Sequence, residues 1–258
     1  MIEAVARPGA GDETIWDLLD DDVAVGTATT VARRSGPMLK VLNVPLTDAA
    51  PALVGVQSAA RQAGEEVLLV DVASGDEVMA AALAGQDTRL VSTQMRLDLD
   101  APVTEPPRVR LRPMSADAFT GYRGQIVTAY AQDLFDAGAF TELPDALAAS
   151  ELSTKELLPD GVDSPGHHLW MAYAADTVVG ILWIHVDGER AYIYDIEVTP
   201  EQRRRGYGRE LLDAGARAAT ALGAAYIGLN VFGFNQGAQA LYATAGYTIT
   251  EQTFRLAL

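Results

Sequence analysis

The chain has 258 residues, 49% of them hydrophobic and 7% aromatic, with a formal net charge of −16; this length buries a sizeable core in one or two domains, and the acidic balance argues against a nucleic-acid partner. It holds no cysteine, so disulfides and thiol chemistry are excluded, and its three histidines, His167, His168 and His185, do not by themselves make a zinc site. No apolar run reaches the length of a membrane span and Met1–Val5 has no signal-peptide pattern, so a cytoplasmic protein without a membrane partner is expected.

In chain order, the first hundred residues carry a faint internal repeat. With Gly64 set against Gly223, the run 66–72 falls on 225–231, Asp76 on Asn235, Ala81 on Ala240, Arg96 on Arg255 and Leu97 on Leu256, without a gap. Leu83 then stands where Tyr242 stands. Ahead of this repeat, Val44-Pro45-Leu46-Thr47-Asp48-Ala49 has no glycine and no arginine, and its proline removes a backbone donor. Chance likeness between two alanine-rich segments is the alternative reading. The stretch 101–107, with three prolines and no periodicity, reads as a linker between a domain at 1–105 and a second at 106–258.

After the linker, 108–114 reads as a strand, and Ser115 as the cap of a helix over 117–122. Helical patterns follow over 125–139 and 143–158, the second stopping at Pro159-Asp160-Gly161. The runs 168–173 and 178–185 read as neighbouring strands around an Ala175-Asp176 turn. Next come an alternating strand at 191–198, a turn at Thr199-Pro200, and the basic loop Gln202-Arg203-Arg204-Arg205-Gly206-Tyr207-Gly208-Arg209, which opens a helix through 210–214. A strand, a short basic loop with two glycines and a helix start together aim backbone N–H groups and the positive helix end at one place, which suits a diphosphate. A solvated helix start with a glycine turn is the plain alternative. The spacing is neither the dinucleotide fingerprint nor a Walker loop. A strand at 225–232, then Asn235, a helix at 236–242 ending in Tyr242, and a stop at Ala245-Gly246-Tyr247 complete the chain's patterned part.

The Arg/Gln-x-x-Gly-x-Gly loop, followed by the string from Asn235 through Ala238, Leu241 and Tyr242 to Gly246-Tyr247, resembles the GNAT superfamily of acyl-CoA N-acyltransferases over about residues 108–258. The resemblance implies an α/β (α+β) GNAT fold, a mixed central sheet flanked by helices. Residues 1–105 would then be the later half of a second, degenerate GNAT-like unit that neither binds coenzyme A nor catalyses. It further implies acetyl-CoA as acyl donor, no metal, a small-molecule or protein amine as acceptor, and a monomer or homodimer.

By the same resemblance the backbone of Ile196 and Val198 holds the pantetheine arm and the thioester oxygen. Arg203, Arg204, Arg205, Gly206, Tyr207, Gly208 and Arg209 cradle the pyrophosphate, Asn235 lies beside the pantetheine, and Tyr242 is the general acid for the departing thiolate. Some relatives carry a glutamate base where this chain has Asn230, which cannot take a proton. Glu197 is then the catalytic base, with Asp195, His168 or ordered water as alternatives. Trp170, Trp183 and Tyr194 line an acceptor pocket or are core. The expected activity is direct acetyl transfer to an amine; a longer acyl group, or a non-catalytic coenzyme-binding sensor or structural module, are the alternatives.

Overall fold

The computed structural model describes residues 1–100 and 108–258, so the expected linker and domain boundary lie outside the described residues. Two compact units emerge. One comprises Met1–Thr93, Phe232–Phe234 and Thr250–Leu258; the other comprises Gln94–Val231 and Asn235–Ile249.

The first unit opens with a meander that no pattern in the sequence announces: β1 (Ile2–Pro8), β2 (Glu13–Asp20), β3 (Val23–Val31) and β4 (Met38–Asn43), all antiparallel. Asp21 and Asp22, at φ 48° and 65°, form the tight turn between β2 and β3, a hand of turn that matches strand twist. There follow α1 (Ala49–Gln62), β5 (Val67–Ala73), α2 (Glu77–Leu83) and β6 (Thr88–Asp98), whose residues 88–93 belong to this unit. Leu18, Ala28, Leu39 and Leu68 pack against Ala49, Ala52, Leu53 and Val56 of α1, all fully buried. Strands β4 and β5 pair in parallel only at Met38↔Leu69 and Leu39↔Val70. Just past that point Lys40 forms an ion pair with the buried Asp71, which also accepts a 2.6 Å hydrogen bond from Thr253 Oγ1.

The second unit holds β7 (Arg110–Pro113), α3 (Ala116–Asp136), α4 (Leu143–Leu157), β8 (His167–Ala174), β9 (Thr177–Asp187) and β10 (Arg190–Val198). After these come α5 (Tyr207–Ala221), β11 (Tyr226–Phe232), α6 (Gln236–Thr244) and β12 (Thr248–Ala257). Its sheet runs β6-β11-β10-β9-β8-β7, with β7 to β10 antiparallel and β10 parallel to β11. From Thr250 onward β12 belongs to the first unit, within which Glu251–Ala257 pair antiparallel with β5.

On one face of the second sheet, Leu182, Ile184, Ile193, Ile227 and Leu229 bury against Leu211, Leu212 and Ala219 of α5. The other face packs Leu169 and Trp183 against Tyr122 of α3, with Met114 and Leu158. The helices expected at 117–122 and 125–139 are one continuous α3. Gly121 and Gly124 cost about 0.5–1 kcal/mol each in a helix, yet both sit in open space, while Tyr122 and Ala131 anchor the helix on its buried side.

The repeat has structural counterparts, since α1-β5-α2-β6 follows the same order as α5-β11-α6-β12. Asp76 caps α2 by accepting from the Met79 N–H at 2.9 Å, and Asn235 caps α6 by accepting from the Ala238 N–H at 3.1 Å.

Candidate active site

The site starts from a parting of two strands. The parallel register of β10 with β11 runs from Arg190↔Tyr226 to Ile193↔Leu229 and stops there, although both strands continue. At the same point the pairing of β10 with β9 shifts, Ile193 opposing Ile184 and Asp195 opposing Trp183, so Tyr194 is the extra residue of a bulge. A bulge bends its strand and re-aims side chains. The Thr199 N–H donates to the Val179 carbonyl at 3.0 Å. Because N–H groups alternate along a strand, those of Ile196 and Val198 point away from β9 and into the opening. The Ile196 N–H lies on the Asp195 carboxylate.

The basic loop closes one end of this opening. Pro200–Gln202 make a single 3-10 turn; Arg204 (φ 64°) and Gly206 (φ 87°) then turn the chain into α5. Among the described residues, the N–H groups of Arg204, Arg205, Gly206, Tyr207 and Gly208 have no main-chain or side-chain acceptor. The first amides of α5 to bond back are Arg209 and Glu210, both to the Gly206 carbonyl. Five successive free donors at the positive end of a helix form a concave anion seat. Gly206 is required by its backbone angle. At Gly208 the backbone comes close to α6, and a Cβ there would lie 2.9 Å from Leu241 Cδ2, the movable end of that side chain.

The loop's arginines divide by role. Arg203 folds back, donating through Nε to the Val198 carbonyl at 3.1 Å and through its other end to Glu197 at 3.2 Å. Arg209 joins Asp213 at 3.2 Å and donates to the Thr244 carbonyl at 2.7 Å, tying α5 to the end of α6. Arg204 and Arg205 are exposed beside the unpaired amides. Asn235 spends its side-chain oxygen on capping α6.

Asp195 is the enclosed carboxylate. Tyr122 Oη donates to its Oδ2 at 2.9 Å. Burial, reinforced by Glu197 and Asp133, pushes its pKa up to about 6 against the pull of Tyr122 and of the Ile196 N–H. Tyr122 is itself pushed upward by burial and by the charges of Asp195 and Glu197. Glu197, by contrast, is half-exposed and engaged with Arg203. Tyr242 is buried in the α5-side core (8% exposed), and burial, then Asp195, pushes its phenol up to about 12. Sequence spacing missed the importance of Tyr122, because it reaches the site from α3 rather than from the strand-loop-helix run.

The aromatic residues expected together are separated. Trp183 and Tyr194 stack with ring centres 4.9 Å apart. Trp170 opposes Leu182 on the other face, stacked on His168 at 5.5 Å, which also puts His168 on the face away from Asp195. His167 accepts from Trp183 Nε1 at 2.9 Å, and burial, then His185 and His168, pushes it down to about 4, so it is neutral at pH 7.

The sequence pattern of the Acetyltransferase (GNAT) family matches residues 132–247. The chain is 36% identical over 149 residues to the N-acetyltransferase YycN of Bacillus subtilis, covering 55% of this chain and 94% of that protein. The crystal structure of YycN aligns with a TM-score of 0.52 at 34% identity, over 54% of this chain and 92% of that one. A second Bacillus subtilis N-acetyltransferase, YdgE, is 29% identical over 56% of this chain and 95% of its own length. A GCN5-related N-acetyltransferase from Sphaerobacter thermophilus shares the fold over 97% of this chain and 82% of its own, with a TM-score of 0.58 at 17% identity.

Proposed function

Because the chain belongs to the GNAT family of acetyltransferases, we propose that it transfers an acetyl group from acetyl-CoA directly to a primary amine, with the chemistry confined to the second unit. The observation that carries this reading is the run of unpaired N–H groups from Arg204 to Gly208 at the mouth of the β10–β11 opening. These amides hold the diphosphate, and Arg204 and Arg205 add charge-assisted contacts. Arg203 pins the loop to the end of β10 through the Val198 carbonyl. The Val198 N–H, aimed into the opening, is free to bind the extended arm of the coenzyme.

Acetyl-CoA supplies the activated acyl carbon and a thiolate leaving group. Asp195 accepts the proton that the amine loses as its nitrogen bonds to that carbon. A pKa of about 6 leaves it ionised at neutral pH yet close enough to the working pH to act as a base. Glu197 keeps Arg203 in place. Tyr242 bears its proton at neutral pH and donates a hydrogen bond to sulfur as the C–S bond breaks. With the phenol near 12 and an ordinary thiol near ~8.5, full transfer from Tyr242 runs uphill, so the thiolate takes its final proton from solvent.

The first unit lacks the corresponding parts. Where β4 and β5 stop pairing, the two strands are bridged by the ion pair of Lys40 with Asp71. Asp48 stands at the start of α1, where its charge repels a diphosphate. Coenzyme binding at one site per chain, together with amine-dependent thiol release from acetyl-CoA, is the test. Binding without thiol release for any amine leaves a sensor instead.

A further inference from the structure

The α3-facing side of β8, β9 and β10 carries a set of rings unusual for a sheet that otherwise buries aliphatic side chains there. Tyr194, the bulge residue, has ring-centre distances of 4.9 Å to Trp183, 5.1 Å to Tyr192, 5.7 Å to His167 and 6.4 Å to His185. Trp183 is buried beneath it (3%), whereas Tyr194 itself is 39% exposed. His167 is neutral and fixed by the Trp183 N–H, so it adds a ring and no charge. Directly after Tyr194 comes Asp195, opposite Trp183 in the register and therefore on the same face. Asp133 of α3 adds a second negative charge close enough to raise the pKa of Asp195.

We infer that the acceptor is an arylalkylamine: a primary amine on a short alkyl chain, whose aromatic ring stacks on Tyr194 while its nitrogen meets Asp195. This rests on the transferase reading above. Flat rings gain from offset or edge contacts with such a bed, and consecutive Cα atoms lie about 3.8 Å apart, so the ring seat and the carboxylate are one short chain from each other. The same geometry rejects α-amino acids. Their carboxylate, one carbon from the nitrogen, would sit among Asp195, Asp133 and Glu197. Arg203 is engaged with Glu197. Arg190, over the Tyr192 ring at 5.4 Å, starts β10 five residues before Asp195, roughly 15 Å away at the rise of a strand.

The experiment compares 2-phenylethylamine, phenylalanine, spermidine and glucosamine as acceptors, following thiol release from acetyl-CoA. In parallel, quenching of indole fluorescence by 2-phenylethylamine is titrated on the coenzyme-bound protein, and coenzyme binding is measured by calorimetry. Expected are a kcat/KM for 2-phenylethylamine about 100-fold above that for phenylalanine, from charge repulsion, and saturable quenching. Tyr194→Leu should raise the KM for 2-phenylethylamine about 10-fold with coenzyme affinity unchanged, and Tyr194→Phe should restore it. Preference for spermidine, glucosamine or phenylalanine overturns the acceptor class and leaves the transferase standing. Coenzyme binding with no quenching and no turnover of 2-phenylethylamine likewise overturns the class. Absence of coenzyme binding removes the transferase reading itself.

Discussion

Replacing Asp195 with asparagine should make the protein more stable and far less active. The carboxyl moves from an ordinary 3.8 to about 6 on folding, chiefly through burial, a difference of about 3 kcal/mol at 1.36 kcal/mol per pKa unit. The folded state therefore binds more protons than the unfolded state between about pH 4 and 6, and stability falls as pH rises through that window. Above pH 6 the full cost of the partly buried charge is present; below pH 4 none of it is. Asparagine is neutral throughout and still offers an oxygen to the Tyr122 hydroxyl, now 2.9 Å from Asp195 Oδ2. Urea unfolding should show Asp195→Asn stabilised by up to about 3 kcal/mol at pH 7.5 and equal to the parent near pH 4. Loss of the base should lower kcat/KM by about 10²–10⁴-fold and remove the acid limb centred near pH 6. A variant no more stable at pH 7.5, or one that transfers acetyl at the parental rate, would refute this reasoning.

Other substitutions probe the remaining parts. Tyr242→Phe removes one hydrogen bond to a developing thiolate, so kcat should fall about 10–100-fold while calorimetry finds coenzyme affinity unaltered. Gly206→Ala places a side chain on a backbone held at φ 87°, a conformation that costs a non-glycine residue about 1 kcal/mol or more; calorimetry should find coenzyme affinity lowered about 10-fold as the loop re-forms, with the unfolding midpoint little changed. Lys40→Ala leaves Asp71 buried with Thr253 as its remaining partner. Chemical denaturation should then register a loss of about 1–3 kcal/mol, less than for a fully buried pair because Lys40 is about one-third exposed, with acetyl transfer per folded molecule unchanged.

The run from β10 through α6 was legible because its signals are local. Alternation, two glycines, a run of arginines, an asparagine cap and a tyrosine one turn-pair later all lie within about fifty residues of sequence. The choice between Asp195 and Glu197 was not. Both are carboxylates on one strand, and what separates them is tertiary: Tyr122, 73 residues away, closes over Asp195, while Arg203 bends back to Glu197. The bulge at Tyr194 is equally silent in sequence, because it exists only in the register with β9. The continuity of α3 through Gly121 and Gly124 reflects packing overriding propensity. Strands β1 to β3 were not legible, because 13–20 and 23–31 do not alternate and Asp21-Asp22 carries no glycine; the positive φ of both aspartates exists only in the folded turn. The close approach of Gly208 to Leu241 appears only with α6 in place.

The most direct measurement is amide hydrogen exchange across 199–210 with and without saturating coenzyme A. Exchange at Arg204 through Gly208, whose N–H groups have no acceptor among the described residues, should be fast in the free protein and slow sharply once the diphosphate is bound. Unchanged exchange at these five positions, in protein that binds the coenzyme, would contradict the cradle.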